Sequence, residues 1–229
     1  MSSNPLTVVI PTLNESAIIA DAVSTVKASW PAAGVVVADG CSSDDTVKLA
    51  AAEGATTVSV STRSRGAQLN EGAQISDSEW ILFLHADTRL TPEAVLAADA
   101  YMNREDGSLA MFRIEFKDPT WMLRSSSWWT RFDSVFTRFG DQGILIRRSF
   151  FRELGGFKVW PLFEDVDLVR RARARNRIEV LRASVVTSSR RFRRYGPVRQ
   201  QLRNGFLLIR FLLGADPHRL ARSYPVMKS

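Results

Sequence analysis

The residues best placed for chemistry stand at the ends of short apolar runs. Trp80-Ile81-Leu82-Phe83-Leu84-His85-Ala86-Asp87 is one such run, and it closes on an acid. About five apolar residues in succession read as a strand buried on both faces. An acid at its carboxyl end stands where open α/β sheets bind ligands, and there it can hold a divalent cation that bridges a nucleoside diphosphate. Other runs deliver matching groups: Pro11, Asn14 and Glu15 after Leu6 to Ile10, Asp39 after Val35 to Ala38, and Arg63 and Arg65 after Ala55 to Val60. Acids can take the hydroxyls and amide of a nucleoside, and arginines its phosphates. Alone, Asp87 could equally open the turn before Thr91-Pro92. Together these groups outline a nucleotide-diphosphate site.

The elements that must position them follow from the alternation of apolar runs and helical stretches. Strands are predicted at Leu6 to Ile10, Val35 to Ala38, Ala55 to Val60 and Ile81 to Leu84. Helices are predicted at about Glu15 to Ala28, after a Ser42 or Ser43 cap with Asp44 and Asp45 in the first turn, and at Arg65 to Ser76. Strict alternation of this kind argues an α/β fold with a parallel, doubly wound sheet, which brings the strand ends to one edge. Beyond Pro92 the rhythm changes. Strands are expected at Ala110 to Phe116, Ile144 to Ile146, Ile178 to Leu181 and Ser184 to Val186, helices at Glu164 to Arg175 and Val198 to Leu213, and Trp121 to Phe139 is aromatic and basic without a clear period. Neither a dinucleotide glycine fingerprint after the first strand nor a phosphate-cradling Gly-Lys-Ser/Thr loop is present, which argues against a dinucleotide enzyme or P-loop ATPase.

A chain of 229 residues with a 45% hydrophobic fraction can bury a sizeable core as one domain. No apolar stretch reaches the roughly 18 residues of a membrane span, and the start lacks the pattern of a signal peptide. Cys41 is the single cysteine, so no internal disulfide forms and a cytoplasmic setting is expected. The net charge of +7 is concentrated late, with arginines crowding Arg170 to Arg210. Such a basic third suits phosphate-bearing ligands, anionic lipid or nucleic acid, or simply a solvated face.

The sequence resembles the family-2 inverting glycosyltransferases of the GT-A fold over nearly its whole length. The resemblance is carried by Val8-Val9-Ile10-Pro11-Thr12-Leu13-Asn14-Glu15, Ala38-Asp39-Gly40-Cys41-Ser42-Ser43-Asp44-Asp45-Thr46, Gly66-Ala67-Gln68-Leu69-Asn70-Glu71-Gly72, Phe83-Leu84-His85-Ala86-Asp87 and Phe163-Glu164-Asp165-Val166-Asp167-Leu168. It is also similar to the compact subgroup of transferases associated with radical-SAM or selenoprotein-like domains, through Gly140-Asp141-Gln142-Gly143, Leu154-Gly155-Gly156-Phe157 and Thr187-Ser188-Ser189-Arg190-Arg191.

The resemblance implies a single GT-A domain over 1–229: a Rossmann-like, mostly parallel sheet flanked by helices, with a basic C-terminal helical segment. Residues 1–90 would form the nucleotide-binding half, 91–190 the acceptor half and 191–229 a basic amphipathic tail. It also implies roles. Pro11, Asn14, Glu15, Asp39, Arg63, Arg65, His85 and Ala86 would line the nucleotide, and Asp87 would ligate Mg²⁺ or Mn²⁺. Asp165 would be the general base, with Glu164 beside it. Asp141, Gln142, Arg190 and Arg191 would serve the leaving group or the acceptor. His85 replaces the first acid of the family's Asp-x-Asp motif, and is read as a hydrogen-bonding neighbour ahead of a metal ligand.

The expected activity is a metal-dependent, hexosyltransferase-like transfer from a nucleoside-diphosphate sugar, UDP-sugar foremost, to an acceptor hydroxyl with inversion. The acceptor is unnamed by sequence, with a lipid-linked one a candidate. Tryptophans 121, 128 and 129 suit a core or an acceptor groove, and the arginines around Val198 to Leu213 suit an anionic membrane surface, which would make the protein peripheral on the inner face of the plasma membrane. Two rivals stand against this reading. A sugar nucleotidyltransferase opens on a Gly-rich basic loop that Pro11-Thr12-Leu13-Asn14-Glu15 is not. A basic nucleic-acid-binding module leaves the aligned acids unexplained, so no nucleic-acid partner is expected.

Overall fold

The computed structural model describes residues 5–62, 64–117, 119–134, 137–176, 178–189 and 197–222. Its first part alternates as the apolar runs predict: β1 (Leu6–Thr12), α1 (Ile19–Ser29), β2 (Gly34–Asp39), α2 (Thr46–Ala52), β3 (Thr56–Ser59), α3 (Arg65–Gln74) and β4 (Trp80–Phe83). Parallel neighbours need a crossover between them, and the three helices supply it. β3, β2, β1 and β4 lie side by side, all parallel, with Thr12 opposite Asp39 and Asp39 opposite Ser59. The loops that follow these strands therefore open at one edge.

The second part adds β5 (Thr88–Leu90), α4 (Pro92–Met102), β6 (Leu109–Phe116), α5 (Trp121–Trp129), β7 (Ile144–Arg147), α6 (Arg148–Glu153), α7 (Glu164–Arg173), β8 (Glu179–Thr187), α8 (Pro197–Leu212) and α9 (Pro217–Ala221). All eight strands join one sheet in the order β3-β2-β1-β4-β7-β6-β8-β5. β7 runs antiparallel between β4 and β6, and β5 antiparallel to β8, while β6 and β8 are parallel. β1 has no exposed face: Leu6, Val8 and Ile10 enter one core with α1, α2 and α4, whereas Val9 enters the other with α3, α6 and α7. That is why its sequence is a continuous apolar run and not an alternating one.

Three departures from the sequence reading have local causes. Asp44 and Asp45 precede α2 instead of filling its first turn; Asp45 stands at the N-cap position without a side-chain cap, so neither Ser42 nor Ser43 caps the helix, and the Asp44 carboxylate accepts from the backbone and hydroxyl of Thr46. The pieces expected at 178–181 and 184–186 are one strand, β8, whose pairing with β6 shifts register between Met111 and Arg113. α4 is a helix that the sequence reading does not offer, since it takes Thr91-Pro92 only as the end of a turn: Thr91 Oγ1 accepts from Ala94 N at 3.1 Å, with Pro at the first helical position.

Candidate active site

At the sheet edge the loops after β1 and β2 are bound to each other. Asn14 N donates to Ser42 Oγ and Ser43 N to Asn14 Oδ1, both at 2.8 Å; Glu15 N donates to Thr46 Oγ1 at 2.9 Å and Ser16 N to Asp44 Oδ2 at 3.1 Å. Asp44 is exposed; its slight desolvation opposes ionisation, but hydrogen bonds from Thr46 and Ser16 outweigh it and hold its carboxyl down to about 2. Asp39, at the end of β2, is only 2% exposed. One of its oxygens accepts from the Thr12 and Ser42 hydroxyls and the other from Ser42 N at 2.8 Å. In this chain Asp39 therefore organises the loop. Pro11 lies one residue inside the edge, paired with Ala38.

The stretch Gly66 to Gly72, prominent in the sequence, turns inward. Gln68 Nε2 donates to Thr12 O at 2.6 Å and Ala38 O at 2.8 Å, tying α3 to the ends of β1 and β2. Asn70 exchanges two hydrogen bonds of 2.9 Å with the Phe157 backbone. A Cβ on Gly66 would stand 2.2 Å from Lys158 O, so only glycine lets α3 begin against the 158–165 segment. These residues position the site from behind.

That segment supplies the acids. Arg65 opens α3, Glu164 and Asp165 open α7, and with His85, Gly140 and Phe157 they line one small cleft beside the end of β4. Glu164 is buried, its Oε1 standing 3.4 Å from Arg65 Nη1 and accepting no hydrogen bond among the described residues. Burial raises its carboxyl to about 7 against the opposing pull of Arg65, with the neighbouring Asp165 adding to the rise. Asp165 is fixed instead by backbone: Gly140 N donates to Oδ2 at 2.6 Å and Val166 N to Oδ1 at 2.8 Å. A carboxylate oxygen accepts about two hydrogen bonds, so each retains room for a further partner.

Gly140 was not singled out as a site residue from sequence. Its signal lay in Gly140-Asp141-Gln142-Gly143, which forms a single 3-10 turn delivering that N–H. Asn14, Cys41 and Phe163 have left-handed backbones, with φ of 53°, 64° and 66°. They are the non-glycine residues in this conformation among those described, and all sit in the loops framing the site. Strain of this kind persists only where the surroundings impose it.

The remaining candidates divide. Asp87 is half-buried in the turn from β4 to β5, outside the cleft lining, and its carboxylate makes no hydrogen bond or ion pair among the described residues. Because residues 84–87 have left the strand, His85 and Asp87 do not share a face by strand pleating. Ala86 is buried, its carbonyl accepting from Arg89 at 2.9 Å. Gln142 is 1% exposed and belongs to the interior: its Oε1 accepts from buried Arg138 Nη1 at 2.6 Å and its Nε2 donates to Thr137 O. Asp141, beside it, is half-buried. Arg63, Arg190 and Arg191 lie outside the described residues.

No group of three His, Cys, Asp or Glu side chains among the described residues could hold a metal by itself. Asp87, whose carboxylate makes no hydrogen bond or ion pair among the described residues, still fits a hard cation whose other ligands are phosphate oxygens and water.

The fold is shared with solved structures. The chain is similar to S. aureus TarS 1–349 in complex with UDP-GlcNAc, with a TM-score of 0.63 and 20% identity, over 81% of this chain and 58% of that one. It thus spans less than two-thirds of that protein's length. A mannosyltransferase, PcManGT from Pyrobaculum calidifontis, in complex with GDP-Man and Mn²⁺, is similar at a TM-score of 0.73 and 15% identity, over 98% and 70%. Glucosyl-3-phosphoglycerate synthase from Mycobacterium tuberculosis, in complex with Mn²⁺, UDP and glucosyl-3-phosphoglycerate, gives 0.62 and 16%, over 90% and 79%. At these identities the likeness is one of fold. No curated protein matches the chain. The family itself is reached through sequence: residues 7–155, well over half of the chain, match the model of glycosyl transferase family 2, and the protein belongs to that family.

Proposed function

We propose that the protein transfers a sugar from a nucleoside-diphosphate sugar to an acceptor hydroxyl with inversion. The observation that carries this reading is the meeting of Arg65, His85, Glu164 and Asp165 in one cleft at the end of β4. Asp165, oriented by two backbone N–H groups, takes the acceptor proton as the acceptor oxygen attacks the anomeric carbon. The bond from that carbon to the diphosphate breaks, and the nucleoside diphosphate departs. Arg65 faces the developing negative charge and keeps buried Glu164 in place. A divalent cation held by Asp87, Mn²⁺ or Mg²⁺, would supply further positive charge against the diphosphate. Asn14, Glu15 and the Asp39 loop would receive the nucleoside; contact by Asp39 itself would require exchange with Ser42 or Thr12.

A UDP-sugar is the donor favoured, and the TarS and synthase structures, which contain UDP-GlcNAc and UDP, support that choice. The glycine turn at 140–143 and Leu154-Gly155-Gly156-Phe157 support placement in the compact radical-SAM-associated subgroup. The setting proposed is the cytoplasm, with an acceptor presented at an anionic membrane surface. Product analysis tests the reaction class. With UDP-sugars, Mn²⁺ and hydroxyl acceptors, UDP should accumulate with the glycosylated product; formation of a nucleotide sugar with release of pyrophosphate would identify a nucleotidyltransferase instead.

A further inference from the structure

α8 is apolar on two opposite sides. Leu207, Leu208 and Phe211 face inward and pack with Val166, Trp160 and Phe163, the Phe211 and Phe163 rings stacking at 4.9 Å. At about 100° per residue, the opposite side carries Val198, Leu202, Phe206, Ile209 and Leu213, one continuous stripe. All five are exposed, Leu202 at 70% and Phe206 at 60%. α5 packs against α8, and its end and the turn after it add three exposed rings in mutual contact, Trp128, Trp129 and Phe132, with centroids 5.1 to 6.0 Å apart. Exposed apolar surface on this scale marks an interaction site.

Charge identifies the partner. From Pro197 to Ala215 the sequence holds Arg199, Arg203 and Arg210 and no acid. By helical geometry the three fall within about 40° of one another, along one flank of the stripe. The Arg210 guanidinium lies over the Phe206 ring, 5.7 Å from its centroid, so cation and apolar surface form one face. A second copy laid there would set the α8 arginines against one another, with no acid between Pro197 and Ala215 to receive them. No helix among the described residues is long and apolar enough to cross a membrane.

We infer that this α5–α8 face docks on an anionic lipid bilayer, its stripe and rings seated at the headgroup boundary and its arginines on lipid phosphates. Indole rings suit that depth. The inner side of the same helix packs on Phe163, immediately before Glu164-Asp165, so docking would also bring the acid pair near acceptors held in the headgroup plane. That last consequence rests on the transfer reading; the docking face does not.

Co-sedimentation of the full chain with phosphatidylglycerol/phosphatidylcholine vesicles, and with phosphatidylcholine alone, tests the inference. Binding to the anionic vesicles is expected at low salt, weakening about tenfold or more at high salt, with little binding to the neutral ones. The double substitution Leu202→Ser, Phe206→Ser alters exposed side chains, so a native melting curve should accompany at least a tenfold loss of binding. Replacing Arg199, Arg203 and Arg210 with Gln should cost about a hundredfold. No binding to anionic vesicles at low salt overturns the proposal, as does undiminished binding by the folded Leu202/Phe206 variant. A concentration-dependent dimer abolished by that variant, without vesicle binding, assigns the face to a second copy and overturns it too. Donor binding in solution, measured on the same proteins, separates the two readings: its absence alongside intact vesicle binding sinks the transfer reading and leaves the docking face standing.

Discussion

At the scale of single residues, the two acids that open α7 have different chemical characters. Asp165 is held by N–H groups from Gly140 and Val166; Glu164 is buried against Arg65 and raised to about 7. Asp165→Asn should keep donor affinity and lower turnover by about 10²-fold or more, since the amide cannot take a proton. Near-normal turnover would pass the role to Glu164, because Asp167 is already paired with Arg171 at 2.7 Å.

The Glu164 shift also sets a pH dependence of stability. Its carboxyl is raised in the folded chain, so between about pH 4.5 and 7 the unfolded chain loses this proton first. Folding stability from this group is therefore fullest below 4.5 and falls as pH rises to about 7, by up to about 3 kcal/mol. Glu164→Gln should flatten the thermal-melting profile across that window, and an unchanged slope would contradict the burial argument. The acid pair was legible in the sequence as residue types in a motif. That Asp39 is consumed by Ser42 and Thr12, and Gln142 by Arg138, was not legible, because both contacts depend on how a loop closes.

At the scale of elements, the buried parallel strands announced themselves as short apolar runs, since both faces of each are covered. α5, α6 and β5 are too short or too aromatic for a period to register, and antiparallel β7 between β4 and β6 cannot be read from a local pattern. The glycine-rich stretch of α3 was legible as a motif but not as a device. Its work is to bring α3 against Lys158 and so hold the segment leading to Glu164 and Asp165. Gly66→Ala should force the Lys158 carbonyl away, lowering stability by about 1–3 kcal/mol and reducing turnover along with it. A variant with unaltered melting temperature and activity would show that the contact is not needed.

At the scale of the whole molecule, one edge of the sheet gathers groups from β1, β2, α3, β4 and α7, while α8, which carries the basic and apolar surface, packs against Phe163 where α7 begins. The polarity of the sheet, which follows from its parallel half, was legible in the sequence and dictated where the site would open. The outward stripe of α8 was not, because an amphipathic run does not reveal which of its apolar sides the core will take.

The central claim is that the edge binds a nucleoside-diphosphate sugar with a cation at Asp87. The most direct measurement is a thermal-shift panel of UDP- and GDP-sugars with and without Mn²⁺, on the native chain and on Asp87→Ala. A ligand that binds only the folded chain raises the melting temperature by mass action. The native chain should be stabilised by at least one nucleotide sugar, more strongly with Mn²⁺, and the Asp87→Ala chain, with a native melting temperature of its own, should lose the Mn²⁺-dependent part. No stabilisation of the native chain by any nucleotide sugar, or the same Mn²⁺ response in both chains, would contradict it.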